Sequence, residues 1–306
     1  MAIHYLPANN DTVTVGYFDC ALPPALTVES GDIVTIETLH HYGGTVQPGM
    51  SLEEIACLRG DPQWGPHSVT GPVAIRGAKP GDGLEVRILK IVLKSFGFNS
   101  SQPGKGALPD DCLNGQIKYF DLEAVDRAVR FAPGIAIPLR PFPGIVAVAP
   151  AVEGQFSTIQ PGPFGGNLDL KELTEGAVLY LPVFAPEALL WIGDAHAAQG
   201  DGEVNHNAIE CAFREIQIQL VLRKDLQIHL PLAETPTHWI TMGFHPDLDE
   251  ALKIALREMI CFLEAEKGLS FPDAYALCSI AVDFWVTQVV NRAKGVHGML
   301  PKAIFT

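Results

Sequence analysis

A chain of 306 residues, 47% of them hydrophobic, carries enough apolar material for a substantial core, in one large domain or two ordinary ones. Its 35 acidic and 21 basic residues give a formal charge of -14, with no long Lys/Arg cluster, which repels phosphate backbones and argues against nucleic acid as a partner. Only 18% of residues are charged, a low share that leaves apolar surface for further burial, so a homo-oligomer is expected.

The longest apolar stretches, such as Ala177 to Phe184 and Ile280 to Val290, are broken by Pro, Asp or Gln before they reach membrane-spanning length. The opening Met1-Ala2-Ile3-His4-Tyr5 has no basic segment followed by an apolar one, so no signal peptide is expected and the cytoplasm is the expected location. Six scattered cysteines include no C-x-x-C pair, and most read as small buried residues.

Taken in chain order, the first two thirds read as β-structure, because prolines and glycines punctuate short runs of Val, Ile and Leu. Gly31-Asp32, Gly81-Asp82 and Glu175-Gly176 each read as a turn feeding a strand. Apolar positions are even-numbered from Leu84 to Ile88 and odd-numbered from Leu89 to Leu93, a phase change that a β-bulge explains. The same shift separates Ile209, Cys211 and Phe213 from Ile216, Ile218, Leu220 and Leu222, and such bent strands suit a sandwich or barrel. Lys94 to Gly115, rich in Gly, Pro, Ser and Asn, reads as a surface loop or lid.

After about His238, Leu248, Leu252, Ala255, Leu256, Met259 and Leu263 recur at helical spacing, with Asp247 and Glu250 as a cap before them and Gly268 as a stop. Ser270 and Asp273 start a second helix, and Val282 to Val290 returns to strand. The expected architecture is therefore mainly β with an α+β C-terminal part: a β-rich body over residues 1–237 carrying the site loops, and a subdomain over 238–306 packed with it as one unit.

The densest polar constellation runs from Gly193-Asp194-Ala195-His196 through Gln199, Asp201 and Glu203, between two apolar strands. Asp194 and His196 are two apart, so in extended backbone they leave the same face, and an imidazole nitrogen beside a carboxylate oxygen suits zinc. A solvated glycine-rich turn fits the pattern as well. Gly165-Gly166-Asn167 would let backbone N–H groups approach a ligand, or would simply turn the chain. A polar loop from Pro66 to Pro72 contributes His67 and Thr70, and Glu37 with His40-His41 closes the strand from Ile33. A lone His67 is more often structural than a ligand, and neighbouring His40 and His41 point to opposite faces, so at most one serves any given site. No Gly-x-Ser-x-Gly elbow or glycine-rich serine segment is present, and no cysteine has nitrilase-like framing, which removes the commoner amide-hydrolase chemistries.

Several segments together resemble the acetamidase/formamidase family: Ala21 to Asp32, Thr70 to Asp82, Phe164-Gly165-Gly166-Asn167-Leu168-Asp169, and, most strongly, Leu181 through Glu203. The resemblance continues into Asp247 to Leu252 and Ala274 to Ser279, so it covers most of the chain in order. It implies the β-sandwich or barrel-like fold of that family, a bound divalent metal, and hydrolysis of formamide, acetamide or a similar small amide. Two departures bear on metal preference and substrate. Asn205 stands where the family commonly has Cys, and His40 lies where an acidic residue is common.

An amide carbonyl is a poor electrophile and water a poor nucleophile, so a divalent cation answers both difficulties. The expected ligands are Asp194 and His196, helped by Asp169 and His67; zinc is the first expectation, and mixed O/N ligation also admits calcium, manganese or iron. Glu203 and Glu37 are the candidates for moving protons between water and the departing amine. Gly165, Gly166, Asn167 and Thr70 are the candidates for binding substrate or oxyanion. The rival expectations are hydrolysis of a larger or cyclic amide such as a lactam, and a non-catalytic metal- or ligand-binding protein on the same scaffold. A purely structural module fits poorly with the polar cluster between 193 and 203.

Overall fold

The computed structural model describes residues 1–123, 127–152 and 154–305. Two large open sheets dominate it. The first has nine strands in the spatial order Ile3–Leu6, Ile33–Ile36, Phe213–Arg223, Gly83–Leu93, Val178–Pro182, Leu232–Glu234, His238–His245, Lys294–Pro301 and Asp283–Gln288. The second is built around Leu190–His196, which pairs antiparallel with Phe142–Val148 on one side and with both Ser68–Ile75 and Glu210–Cys211 on the other. Phe96–Ser101 and Gln116–Asp121 extend it from Glu210.

The two sheets pack face to face. Val34, Ile36, Ile216, Ile218 and Leu220 from the first meet Val73, Phe142, Val146, Leu190 and Ile192 from the second in one buried cluster. Alternation explains which side chains enter: Ile216, Ile218 and Leu220 are buried while Gln217 and Gln219 face outward along the same strand. Both bulges expected from phase changes are present. Opposite Gln217 and Ile218 the partner register jumps from Lys90 to Ile88, leaving Leu89 as the extra residue, and a second shift falls between Phe213 and Glu215.

The C-terminal helices span Leu248–Lys267 and Phe271–Ala281, with Asp247 accepting from the N–H groups of Asp249 and Glu250, and Gly268 closing the first helix in left-handed backbone. The longer helix lies directly on the sheet because Gly243 has no side chain: a Cβ there would stand 2.2 Å from the Ala251 carbonyl oxygen. The first sheet runs through residue 237 without a break, since Leu232–Glu234 pairs with His238–His245.

Two expectations need correction. Lys94 to Gly115 is not all loop, because Phe96–Ser101 is a strand in which Gly97, Phe98 and Ser100 are buried. The cysteines are not mostly buried either. Cys211 and Cys278 are, whereas Cys57 and Cys261 are exposed and all six are free thiols.

Candidate active site

Seven ionisable side chains meet at the inner edge of the second sheet: His41, His67, Asp169, Asp194, His196, Glu203 and Glu210. Strand Leu190–His196 supplies Asp194 and His196, and the adjoining Glu210–Cys211 supplies Glu210, which is registered opposite His196. His196 Nε2 lies 3.4 Å from Asp194 Oδ2 and 3.2 Å from Glu210 Oε2, while His41 Nε2 is 2.9 Å from Asp194 Oδ1 and 3.3 Å from Glu210 Oε2. His67 Nε2 is 3.9 Å from Asp194 Oδ2, its ring fixed by a 2.9 Å hydrogen bond between Nδ1 and the Thr158 hydroxyl. Asp169 Oδ1 lies 3.7 Å from His196 Nδ1, and its other oxygen accepts from the Asn291 amide.

The backbone is bent to bring these groups together. Asp169, Asp194 and Glu203 have φ of 50°, 53° and 45°, a left-handed conformation that costs a non-glycine residue roughly 1–3 kcal/mol. Gly144, on the neighbouring strand Phe142–Val148, leaves the space beneath them free. A Cβ there would stand 2.8 Å from Asp169 Oδ1, Asp194 Oδ2 and His196 Cε1 alike.

Electrostatics follow from burial against mutual attraction. Burial disfavours the imidazolium of His41, but the Glu210 and Asp194 carboxylates outweigh it and hold the ring up at about 10. The same contest raises His196, and the facing histidines keep Asp194 below the ordinary carboxylate range despite its burial. Glu203 goes the other way: burial, and then the charge on Asp169, push its carboxyl well above the usual value. Both ring nitrogens of His196, Asp169 Oδ1, Glu203 Oε2 and Glu210 Oε2 are buried without a hydrogen-bond partner. Groups left this way cost several kcal/mol unless something else satisfies them, and a mixed set of imidazole nitrogens and carboxylate oxygens suits a divalent cation. Glu172, Asp201 and His297 form a separate cluster, but Lys171 and Arg140 already stand against its two carboxylates.

Five of the seven form the floor of a cavity of about 500 Å³, with Asp169 and His196 packed beside them. His41, His67, Asn167, Asp194, Glu203 and Glu210 line it, and the amide oxygen of Asn167 is buried without a partner while its nitrogen donates to the Ile159 carbonyl. The structure thus brings together Asp194, His196, Asp169, His67, Glu203 and Asn167. It does not bring in Glu37, whose carboxylate accepts from the Tyr5 hydroxyl and the Ala8 N–H, nor Thr70, whose hydroxyl donates to the Glu37 carbonyl. Gly165 and Gly166 lie inside the sheet, paired with Val146 and Ala147. A Cβ would meet the Val146 carbonyl at 2.2 Å from Gly165 and the Gln160 carbonyl at 2.9 Å from Gly166, so close strand approach accounts for both glycines.

Of the two adjacent histidines it is His41 that faces the site. His40 turns away and stacks on Phe96 with ring centroids 4.0 Å apart. Asn205 also points elsewhere, bonding Asn99 and Ser101 and so tying the loop after Glu203 to strand Phe96–Ser101. Glu210, Gly144 and Asn291 carry no distinctive pattern in the sequence. Glu210 shows only as one polar position between the apolar Ile209 and Cys211.

Comparison with known proteins bears on the fold and the family. The chain superimposes on the crystal structure of an acetamidase from Bacillus halodurans with a TM-score of 0.89 at 33% identity, over 98% of each chain. It does so equally on a predicted acetamidase/formamidase from Thermoanaerobacter tengcongensis, with a TM-score of 0.90 at 32% identity over 99% of this chain and 97% of the other. It is 26% identical to a formamidase from Methylophilus methylotrophus over 65% of its own length and 62% of that protein. The matches to curated relatives span 60% to 64% of those proteins' lengths. The sequence profile of the Acetamidase/Formamidase family matches residues 7–155 and 153–306, and the chain belongs to that family.

Proposed function

We propose that this chain is a metal-assisted amidohydrolase that cleaves the C–N bond of a small linear amide, giving a carboxylate and ammonia. The observation that carries the reading is the buried convergence of three histidines and four carboxylates at the floor of one cavity, with five of their polar atoms left without a hydrogen-bond partner. Relatives described as formamidase and acetamidase support the same reaction type.

Asp194, His196, Glu210 and His41 would hold the cation, with His67 and Asp169 beside them; zinc suits this mixed set, and calcium or another divalent ion is compatible with its oxygens. A divalent cation there supplies Lewis acidity toward the amide carbonyl and water. Thr158 and Asn291 orient His67 and Asp169 and thereby fix which atoms face inward. Glu203, buried and with one carboxylate oxygen unpartnered, takes a proton from the attacking water and delivers one to the departing nitrogen, which is too basic to leave as an amide anion. Burial, and then the charge on Asp169, raise its pKa and so make its carboxylate a stronger base than an exposed one. Asn167, at the same wall, is placed to orient the substrate amide.

The test is ammonia release from formamide, acetamide and several larger amides, before and after chelation and after metal restoration. Release that chelation abolishes and metal restores is the expected result. Release unaffected by a strong chelator would overturn the metal assignment, and no release from any amide by folded, metal-loaded protein would overturn the amidase assignment.

A further inference from the structure

The cavity floor is rich in carboxylates, but its mouth is cationic. Arg59, Lys105 and Arg292 all line it, in a protein whose formal charge is -14. None of the three forms an ion pair among the described residues. The guanidinium groups are instead oriented by neutral acceptors: Arg59 donates to Gln102 at 2.7 Å and to the Tyr42 hydroxyl, and Arg292 to the Pro62 carbonyl at 3.2 Å. Arg292 is further constrained by left-handed backbone at φ 61°, directly after Asn291, which holds Asp169. Lys105 is drawn down from the ordinary lysine value by partial burial and then by the charges of Arg59 and Arg292, as expected of cations crowded together. One carboxylate, Asp61, shares the mouth and accepts from the Gln63 N–H, so the balance there stays positive. The segment that carries Lys105 is fastened over the floor by the hydrogen bond from Ala107 N–H to the Val204 carbonyl at 2.7 Å.

Size points the same way. A cavity of about 500 Å³ greatly exceeds what the four heavy atoms of acetamide fill, given that one water's share of the liquid is about 30 Å³. Three crowded, unpaired cations at the open end of such a cavity repel one another, and an anion between them relieves that repulsion.

We propose that the substrate is an amide bearing a carboxylate at its far end, an ω-carboxy amide of a short dicarboxylic acid, whose amide reaches the histidine-carboxylate floor while its carboxylate sits among Arg59, Lys105 and Arg292. This rests on the amidase reading and narrows its substrate class. Arginine suits the task because its fork binds a carboxylate through two parallel N–H donors. Uncharged amides still reach the floor but gain nothing from the mouth.

The experiment compares kcat/KM for malonamate, succinamate, glutaramate and adipamate with that for uncharged isosteres in which isopropyl replaces the carboxylate, such as 4-methylpentanamide for succinamate. At low salt at least one carboxylate is expected to exceed its isostere about tenfold or more, with the ratio shrinking at high salt. The ratio should fall toward one in the Arg59→Gln/Arg292→Gln double variant, and because it is taken within one protein, a loss of folded enzyme does not mimic the effect. Turnover of acetamide with ratios near one throughout the series would overturn this inference and leave the amidase reading standing. If no amide is turned over, calorimetric binding of succinamate and of 4-methylpentanamide decides: preferential binding of succinamate that the double variant loses supports the anion site, and equal or absent binding overturns it.

Discussion

Replacing Gly144 with alanine tests whether the cavity floor is a preorganised constellation or merely a buried tangle of charge. Gly144 does not use left-handed backbone, so alanine is allowed there conformationally and the perturbation is one methyl group. That methyl would stand 2.8 Å from Asp169 Oδ1, Asp194 Oδ2 and His196 Cε1, so the groups must retreat by about half an ångström to reach ordinary contact. Overpacking of this kind costs about 1–3 kcal/mol of stability. Misplacement of reacting groups by about 1 Å costs about a hundredfold in rate, so a shift of half that should lower kcat/KM by roughly tenfold or more. Ammonia release, bound metal by elemental analysis and urea unfolding measure the three effects. The expected variant folds, loses about 1–3 kcal/mol and loses most of its activity or its metal. Wild-type turnover with a full metal complement in Gly144→Ala would refute the claim that Asp169, Asp194 and His196 must keep this geometry.

Further predictions concern neighbouring residues. Glu203→Gln should keep the metal and lower turnover by about 10²–10⁴-fold, whereas Glu37→Gln, whose carboxylate serves Tyr5 and Ala8, should retain it; a turnover loss confined to Glu37→Gln in otherwise well-folded proteins would reverse the assignment. His41→Ala and Glu210→Gln should both weaken metal retention, read by equilibrium dialysis against a chelator, and unaltered retention in both would remove them from the ligand set. Asp32 is held at about 2 by the Ala2 N–H and by His4. A folded pKa below the unfolded value means that its stabilisation is complete above about pH 4 and lost as pH falls toward 2. Urea midpoints of Asp32→Asn should therefore be lower than wild type at neutral pH and converge with it near pH 2, and parallel pH curves for the two proteins would contradict this.

How much of this was legible in the sequence depended on whether a residue stood out from its surroundings. The bulges at Leu89 and before Glu215 could be read because each reverses the parity of buried positions, and the helix from Leu248 because its period and both caps agree. Asp194, His196, Asp169 and Glu203 stood out as polar residues crowded between apolar strands. Glu210 did not, because a single polar residue in a strand normally faces solvent, and only the pairing of Glu210 with His196 shows that this one faces inward. Gly144 follows Phe142-Pro143 and looks like a turn, whereas it is strand interior kept bare for the groups above it. Glu37 misled through proximity in sequence to His41. The strand ends at Ile36; Glu37, just beyond it, turns its carboxylate to the N-terminal segment at Tyr5 and Ala8, while His41 opens the helical turn that follows and faces the site.

Strand alternation also bears on why Asp194 and His196 can act together. On regular extended backbone, residues two apart share a face but lie roughly 6.5–7 Å apart along the strand, so their side-chain tips meet only by leaning. The left-handed φ of 53° at Asp194 breaks that regularity inside a paired strand, and the two tips come within 3.4 Å. Gly193, immediately before it, tolerates the resulting close approach of the neighbouring strand, since a Cβ there would stand 2.2 Å from the Ser68 carbonyl. The bend is unfavourable locally, as is the burial of so many ionisable groups, and neither would persist in an isolated hairpin. Strand Leu190–His196 is held on one side by Phe142–Val148 and on the other by Ser68–Ile75 and Glu210–Cys211, with Leu190 and Ile192 anchored in the core between the sheets. The large two-sheet core therefore serves the chemistry by overdetermining one strained strand end, and an enzyme that has to assemble three histidines and four carboxylates away from water needs a scaffold of that rigidity.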